Sequence, residues 1–254
     1  MSGMLTGKIA LITGGGSGIG ESIAAAFVRE GASVVIAGRG LERLTQAARA
    51  IGAHPIAADV CEEPDVIAIF AAIRERFGGL DVLVNNAGVT GPVTRAEDMS
   101  ISAWDETMAI NVRGTILCIK HAVPLLRARG GGSIINMSSL MGLRGMPMRS
   151  AYTASKYAVL GITDAVAQEV GVDNIRVNAL CPGAVNGELM QRVLIARSRA
   201  EGKSPEEIAR VAYTDKASLR RWVEPEEVAQ AALFLAGPAT AITGERLRVD
   251  AGRN

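Results

Sequence analysis

Short apolar segments alternate with longer amphipathic segments along the chain. The apolar segments are rich in Val and Ile, and most lack alternation between polar and apolar positions. Strands that are apolar on both faces are typical of a parallel sheet covered by helices on both sides. Seven segments of this kind predict strands, at residues 8–13, 33–37, 55–58, 81–85, 133–137, 175–180 and 246–249.

The amphipathic segments between these strands predict helices. In residues 19–30, Ile19, Ile23 and Phe27 recur at helical spacing, and residues 65–76 repeat the pattern. Such helices would cover both faces of the sheet. The 254 residues are 48% hydrophobic, with no low-complexity linker and no internal repeat. We therefore expect a single α/β domain over residues 1–254, a doubly wound, seven-stranded parallel sheet with helices on both faces.

One polar segment interrupts this regular alternation. Residues 188–221 are helix-prone, carry eight Lys and Arg residues, and lie between the sixth and seventh predicted strands. Open α/β sheets bind ligands at the carboxyl ends of their strands, so an insertion after the sixth strand could cover that edge. We expect a substrate lid at about 184–222. A charged, solvated helical pair is an equally good interpretation of the segment.

Charge and cysteine content narrow the class of protein. Lys and Arg total 27 and Asp and Glu 26, a net charge of +1, which is not the basic excess of a nucleic-acid binder. No run of 18 apolar residues and no signal peptide is recognisable, so we expect no membrane association. The three cysteines, Cys61, Cys118 and Cys181, are too far apart for a disulfide framework or a ligand cluster. These features favour a cytoplasmic protein with a small-molecule partner.

A glycine-rich turn follows the first predicted strand. Residues 13–20 read Thr-Gly-Gly-Gly-Ser-Gly-Ile-Gly, and an amphipathic helix begins within them. Without Cβ atoms the backbone can approach a pyrophosphate, and the N–H groups at the start of the helix stabilise its charge. Glycines could also serve only a sharp turn, but the strand before and the helix after favour dinucleotide binding. The predicted cofactor contacts in this turn are Gly14, Ser17, Gly18, Ile19 and Gly20.

The end of the second predicted strand bears on the choice of cofactor. An acidic residue at this point would bind the ribose 2′-hydroxyl of NAD, but the sequence has Gly38 followed by Arg39. A guanidinium can instead pair with the 2′-phosphate of NADP. We predict that NADP(H) is preferred, while NAD(H) stays possible because Arg39 could be solvated or could stack on adenine.

A Tyr and a Lys stand four residues apart at the start of a predicted helix. This spacing places Tyr152 and Lys156 on one helical face, where an ammonium can favour the phenolate. Ser138 and Ser139 end the fifth predicted strand, and a hydroxyl there can bind a substrate carbonyl. Alone, each of these features is more often structural, and the serines could simply cap the next turn.

Together these motifs resemble the short-chain dehydrogenase/reductase family over essentially the whole chain. The matches are the glycine turn, Asn85-Asn86-Ala87-Gly88, the helix asparagine Asn111, Ser139, Tyr152 with Lys156, and the closing motifs at 242–244 and 249–252. The resemblance implies a Rossmann fold and homotetramers formed through long helices and the C-terminal strand, with which the apolar residues 228–244 are compatible. It also implies further cofactor contacts at Asp59, Val60, Asn86, Ala87, Gly88, Tyr152, Lys156, Pro182, Gly183 and Val185.

The resemblance further implies a mechanism and its catalytic residues. Tyr152 would exchange a proton with the substrate oxygen, Ser139 would polarise that oxygen, and Lys156 would lower the Tyr152 pKa and bind the nicotinamide ribose. Asn111 would hold a water molecule in a proton relay. Gly187 replaces a Thr found in many members, so backbone groups around Val185 or the Asn186 side chain would hold the carboxamide.

The predicted reaction is hydride transfer between a nicotinamide cofactor and a secondary alcohol or ketone. The expected pocket walls are residues 140–149, residues from 184 onward and the lid, and they contain Met141, Met146, Met148, Met190 and Leu189. Such adaptable apolar side chains favour a partly hydrophobic substrate, and the Arg-rich lid leaves an anionic substrate open. No metal is needed, and His54 and His121 have no ligand partners at useful spacing. The alternatives are a cofactor-binding regulatory protein without turnover, and an epimerase or dehydratase, although the latter enzymes usually carry a further substrate domain.

Overall fold

Seven strands form one parallel sheet in the computed structural model of the protein, which describes residues 3–237 and 241–253. All seven predicted strands are present, with ends that differ by up to two residues. The strands are β1 (Ile9–Thr13), β2 (Ser33–Gly38), β3 (His54–Ala57), β4 (Val82–Asn85), β5 (Gly132–Met137), β6 (Ile175–Pro182) and β7 (Arg246–Val249).

Helices follow most of the strands and connect them. The α-helices of the described residues are α1 (Gly18–Arg29), α2 (Leu41–Ile51), α3 (Glu63–Phe77), α4 (Ile101–Met108), α5 (Gly114–Ala128), α6 (Ser150–Val170), α7 (Glu188–Glu201), α8 (Pro205–Ile208) and α9 (Pro225–Ala236). A π-helical turn, Ala109–Arg113, joins α4 to α5, so that Ile101–Ala128 is one continuous helical run.

Successive residues of β1 illustrate why both faces of the sheet are covered. Ala10 and Ile12 belong to one apolar cluster with α1, α2 and α9. Ile9 and Leu11 belong to a second cluster with α3, α5 and α6 on the opposite face. Both faces therefore lose contact with water, which explains the absence of polar alternation. The predicted doubly wound α/β fold is confirmed.

The strand order places a crevice at the middle of the sheet. The order is β3-β2-β1-β4-β5-β6-β7, and the direction of winding reverses between β1 and β4, where Ile12 pairs with Val84. The connections after these two strands leave on opposite faces, which opens a crevice at their carboxyl ends. The glycine turn follows β1 and the Asn-Asn-Ala-Gly segment follows β4, so both motifs border this crevice.

Residues 184–222 contain two helices and further helical turns, as the sequence predicts. Leu194, Ile208 and Tyr213 form a small apolar cluster of their own, separate from the two clusters on the sheet. The action of this segment as a lid stays a prediction. The predicted domain 1–254 and the predicted association segment 228–244 both include residues that lie outside the described part of the chain.

One helical run has the composition of a membrane-spanning helix. Ile101–Ala128 is 28 residues long, its most apolar window has a mean hydropathy of 1.2, and half of that window is buried inside the fold. A core helix of the same length passes the same test. The expected absence of membrane association stays a prediction.

Candidate active site

A cavity of about 550 Å³ lies at the carboxyl ends of β1, β4, β5 and β6. It brings together most of the residues that the sequence singles out. Of the predicted site residues, those in its walls are Gly14, Ser17, Gly18, Ile19, Gly20, Asn86, Ala87, Gly88, Ser139, Tyr152, Lys156, Pro182, Gly183 and Val185. Arg39, Asp59, Val60 and Asn111 lie outside these walls.

The glycine turn has the geometry that a pyrophosphate requires. Gly14 and Gly18 adopt left-handed backbone angles, with φ of 66° and 54°. A Cβ on Gly20 would lie 2.3 Å from the Gly14 carbonyl oxygen, so the turn closes only around a glycine. The N–H groups of Gly18, Ile19 and Gly20 have no hydrogen-bond acceptor among the described residues, and all three residues line the cavity. The turn therefore fits an anionic dinucleotide at the start of α1.

Thr13 and Asn86 hold the glycine turn against the segment that follows β4. The Thr13 hydroxyl accepts hydrogen bonds of 3.0 Å from the backbone N–H groups of Asn86 and Ala87. The Asn86 amide donates to the carbonyls of Thr13 and Gly14 at 3.0 and 3.2 Å. Asn86 thus joins the segments after β1 and β4, and its predicted contact with cofactor stays a prediction.

Arg39, Asp59 and Val60 lie next to one another at the carboxyl ends of β2 and β3. Arg39 is largely exposed, and its Nη1 atom is 3.9 Å from Asp59 Oδ2. Asp59 also accepts a 2.9 Å hydrogen bond from the Cys61 N–H, while Val60 is buried. The carboxylate of Asp59 therefore lies beside the guanidinium at the outer end of the crevice, where the sequence predicts the adenosine ribose, and pairs with it only loosely.

Asn111 lies in the π-helical turn between α4 and α5 and is fully buried. Its side-chain oxygen accepts a 2.8 Å bond from the Val89 N–H, and its amide donates to the Val89 carbonyl at 3.0 Å and to Ser155 Oγ at 2.9 Å. These contacts use both amide hydrogens of the side chain. Asn111 therefore fixes the segment after β4 against α6, and its predicted part in a relay stays a prediction.

The two serines after β5 have different roles in the structure. Ser138 donates a 2.9 Å hydrogen bond to the backbone carbonyl of Lys156 and so anchors α6. Ser139 Oγ accepts a 3.2 Å bond from the Met141 N–H, which leaves its hydroxyl proton available, and Ser139 lines the cavity with Tyr152. The geometry thus favours Ser139 as the hydroxyl that meets a ligand.

Burial dominates the acid–base properties of Tyr152 and Lys156. Burial raises the pKa of Tyr152, and this effect is opposed by the Arg149 guanidinium and the nearby Ser139 hydroxyl. Burial lowers the pKa of Lys156 to about 8. The Lys156 ammonium is 5.6 Å from the centre of the Tyr152 ring and donates a 2.8 Å bond to the Met137 carbonyl. The Arg149 guanidinium therefore opposes the effect of burial on the Tyr152 pKa, a role that the sequence did not indicate.

The segment after β6 replaces the missing threonine with backbone groups. Val185 pairs with Val223 through the Ala184 carbonyl and the Asn186 N–H. This pairing leaves the Val185 N–H and carbonyl without a partner among the described residues, and Val185 lines the cavity. The Asn186 amide instead bonds to Glu224 at 3.2 Å. Of the two substitutes for the threonine, the geometry favours the backbone of Val185.

The cavity also has walls that the sequence did not predict. They include Arg43, Thr90 and Arg253. Only Arg43 had a local signal, because it stands one helical turn after Arg39.

Of the methionines expected in the walls, Met148 is absent from them. Its φ of 63° belongs to the bend before α6, and its carbonyl accepts a hydrogen bond from Thr94.

No group of three or more potential metal ligands occurs among the described residues. His121 lies 3.0 Å from Glu63 on the outer helices, and His54 packs on Phe77. In the part of the chain that the structure describes, all three cysteines are free thiols. The absence of a metal from the reaction stays a prediction.

Comparisons with known proteins identify the family. A family model described as Enoyl-(Acyl carrier protein) reductase matches residues 14–254. The chain is 34% identical to D-beta-hydroxybutyrate dehydrogenase of Rhizobium meliloti, over 96% of this chain and 98% of that protein. Among solved structures, L-sorbose reductase from Gluconobacter frateurii, complexed with NADPH and L-sorbose, has a TM-score of 0.91 and 33% identity over 100% and 98% of the two chains.

A second solved structure, NAD⁺-bound xylitol dehydrogenase, has a TM-score of 0.94 and 27% identity, over 98% of this chain and 99% of that one. One of the two neighbours thus binds NADPH and the other NAD⁺, which supports a nicotinamide cofactor without deciding between the two. The predicted family and the predicted class of reaction are confirmed. The chain belongs to the short-chain dehydrogenase/reductase family and is an NAD(P)-dependent oxidoreductase.

Proposed function

We propose that the protein catalyses hydride transfer between NADP(H) and a secondary alcohol or ketone, with Tyr152 as general acid and base. The observation that carries the proposal is the meeting of Ser139, Tyr152 and Lys156 with the glycine turn in one cavity. A regulatory protein needs the nucleotide site but has no use for the hydroxyl pair. The arrangement therefore favours turnover.

Tyr152 and Ser139 act on the substrate oxygen. The phenol donates its proton to a carbonyl oxygen as negative charge develops there, or removes the hydroxyl proton in the opposite direction. Ser139 donates a hydrogen bond to the same oxygen and orients it. The nicotinamide, when bound, supplies or accepts the hydride. Since Tyr152 is half-buried in the cavity wall, the proton passes to the substrate with limited competition from bulk water.

Lys156 and Asn111 prepare this site. The Lys156 ammonium is held by the Met137 carbonyl and lies next to Gly88, whose Cβ would be 3.6 Å from Nζ. From this position it can bind the nicotinamide ribose and favour the phenolate. Asn111 bonds to Ser155, one residue before Lys156, and thereby fixes the start of α6. A water molecule held at Asn111 would connect Lys156 to solvent.

The preference for NADP(H) rests on Gly38 and Arg39. A carboxylate at position 38 would repel a 2′-phosphate, but the residue there is a glycine, so this repulsion is absent. Arg39 is exposed and only loosely paired with Asp59, so its guanidinium is free to turn toward a phosphate. Arg43, four residues after Arg39, lines the cavity and provides a second guanidinium, which is paired with Glu188 at 3.0 Å.

The experiment that tests the proposal compares the natural protein with Tyr152→Phe. Ketones and secondary alcohols are offered with NADPH or NADP⁺, and cofactor affinity is measured separately by fluorescence titration. Loss of the hydroxyl removes the proton donor without removing the ring, so we expect the rate to fall by about 10²- to 10⁴-fold. Cofactor affinity should stay within threefold. Equal rates in the two proteins would exclude Tyr152 as the acid and base.

We propose that the enzyme is a homotetramer and that it is cytoplasmic. Ile116 on α5 and Tyr157 on α6 are 41% and 47% exposed, which gives the two long helices apolar surface for association. Sedimentation equilibrium tests the assembly, and a concentration-independent monomer would contradict it.

A further inference from the structure

Arg149 is a buried cation in the wall of the active-site cavity. The residue is 2% exposed and immediately precedes α6, three positions before Tyr152. Its Nη2 atom donates a 2.7 Å bond to the Thr90 carbonyl. Its Nε atom has no hydrogen-bond partner among the described residues. A polar atom that is buried and unpartnered in a native structure calls for an explanation.

The residues around Arg149 add positive charge and do not neutralise it. Arg197 and Arg253 stack on the two-ring cluster of Tyr213 and Trp222, with guanidinium carbons 5.5 and 5.1 Å from the Tyr213 ring centre. Arg197 is paired with Glu201 at 2.6 Å. Arg149 and Arg253 form no ion pair within the described residues, and Arg253 Nε is also buried without a partner.

An uncompensated buried guanidinium destabilises a protein unless a counter-charge arrives. Burial lowers the pKa of Arg149, but a guanidinium stays protonated at neutral pH. Removing such a charge from water is unfavourable, and the loss is offset only by close pairing with an anion. The cavity beside Arg149 is large enough for that anion to be a ligand.

Arg149 also lies close to the group that is proposed to react. Its guanidinium carbon is 5.0 Å from the centre of the Tyr152 ring. One small molecule can therefore contact Arg149 with one end and the Tyr152 hydroxyl with the other. Arg144 and Arg253 line the same cavity and extend the positive wall beyond it.

We propose that Arg149, with Arg144 and Arg253 around it, binds an anionic group of the substrate, separated by a short carbon chain from the carbonyl that is reduced. Carboxylate, sulfonate and phosphate share the required chemistry, since each accepts charge-assisted hydrogen bonds from a guanidinium. The inference rests on the proposed function, because it assigns the substrate class of that site. Binding of such a substrate supplies the missing counter-charge.

Binding to the protein saturated with NADP⁺ tests the inference without turnover. Calorimetry compares 4-oxopentanoate with 4-oxopentanamide, which has nearly the same shape and no charge. We expect the acid to bind at least tenfold more tightly, as charge-assisted hydrogen bonds imply. A sulfonate arm uses 3-oxobutane-1-sulfonate against its sulfonamide, and a phosphate arm uses the phosphate ester of 4-hydroxybutan-2-one against the free alcohol. The arm with the largest ratio identifies the anion.

Variants assign the charge preference to Arg149. Arg149→Gln should reduce the ratio of acid to amide affinity to near one, while Arg149→Lys should retain part of it. The ratio is the readout because a general loss of structure, or a changed Tyr152 pKa, affects both ligands alike. Arg210→Gln is the matched control, because it removes an exposed arginine that pairs with Asp215 and does not line the cavity. It should leave the ratio unchanged.

The outcomes separate this inference from the proposed function. If neutral and anionic ligands of all three arms bind equally, or if Arg149→Gln leaves the ratio unchanged, the inference is wrong. If neutral ketones are nevertheless reduced with dependence on Tyr152, the proposed function stands. If anions bind through Arg149 but no ketone of any arm is reduced with NADPH, the inference holds and the proposed function fails.

Discussion

Arg43 in α2 and Glu188 at the start of α7 are joined by a 3.0 Å hydrogen bond, although 145 positions separate them. Both residues line the cavity, so the bond connects the cofactor side of the site to the predicted lid. Arg192, one turn along α7, also contacts Glu188. The Arg43 and Arg192 hydrogen bonds lower the pKa of Glu188, so its carboxylate stays ionised and paired at neutral pH.

Glu188→Gln should therefore accelerate cofactor release. Loss of the carboxylate charge weakens the connection between α2 and α7, and the lid opens more often. Since both partners are more than half exposed, the effect should not exceed about fivefold and should shrink at high salt. Stopped-flow fluorescence measures the off-rates of NADPH and NADH. Arg192→Gln is the control, because it removes only the contact within α7. Slower release from the Glu188 variant would contradict a closing role for this pair.

Gly38→Asp should reverse the preference between the two cofactors. A Cβ on Gly38 meets only Leu44 side-chain atoms, at the ordinary contact distances of 3.7 and 3.9 Å, so the backbone accepts a side chain at this position. The new carboxylate would repel a 2′-phosphate and accept a hydrogen bond from a 2′-hydroxyl. We expect NADPH affinity to fall by at least tenfold and NADH affinity to rise, as measured by fluorescence titration.

Arg39→Ala is the companion variant. It should weaken NADPH by about ten- to a hundredfold and leave NADH within threefold, since a charge-assisted bond to phosphate is lost. Parallel losses for both cofactors would mean that Arg39 only shapes the site. A natural protein that binds NADH more tightly than NADPH would overturn the proposed preference.

Gly20→Ala should abolish cofactor binding. The added methyl group would stand 2.3 Å from the Gly14 oxygen and 2.5 Å from the Asn86 amide nitrogen, so the turn must move. Overpacking of this kind typically destabilises a protein by about 1–3 kcal/mol. Gly40→Ala is the control, because its Cβ would meet nothing closer than Arg43 Cβ at 4.0 Å. Urea unfolding and cofactor titration are measured together, and an unchanged affinity in the Gly20 variant would exclude the turn as the phosphate site.

The strands could be predicted because burial on two faces leaves a local mark in the sequence. At β3 both ends are offset, because the prediction of 55–58 lies one residue late. This strand is at the edge of the sheet, and its exposure alternates along His54–Ala57. Pro55 is compatible with an edge strand because only one side of the strand is hydrogen-bonded. The apolar signal that fixes the central strands is therefore weaker at this position.

The motifs of the site could be predicted because each depends on residues close together in the chain. Tyr152 and Lys156 share one helical turn, and the glycine turn is continuous. Residues 140–149 and the lid were expected in the pocket walls, but the approach of Arg253 to Arg149 had no such local signal. Arg149, Arg253 and Tyr213 come from three distant segments, and only the packing of the lid onto the end of the chain brings them together. Long-range packing of this kind has no periodicity from which it could be predicted.

The buried Lys156 should make the stability of the protein depend on alkaline pH. Its pKa is about 8 in the folded protein, whereas an ordinary, solvated lysine has a pKa of 10.5. Between these values the unfolded chain binds a proton that the folded chain has released. Unfolding therefore takes up a proton, and raising the pH stabilises the folded state. Below pH 8 both states are protonated, and this dependence disappears.

Lys156→Met removes the titrating group and keeps an unbranched side chain in the same space. We expect the unfolding free energy of the natural protein to rise, relative to this variant, by up to about 2 kcal/mol between pH 8 and pH 9.5. Urea unfolding at both pH values and at one protein concentration measures the difference. Lys120→Met, at an exposed lysine on α5, controls for the general loss of a positive charge. If the unfolding free energies of the two Met variants depend on pH in the same way, Lys156 does not titrate in this range.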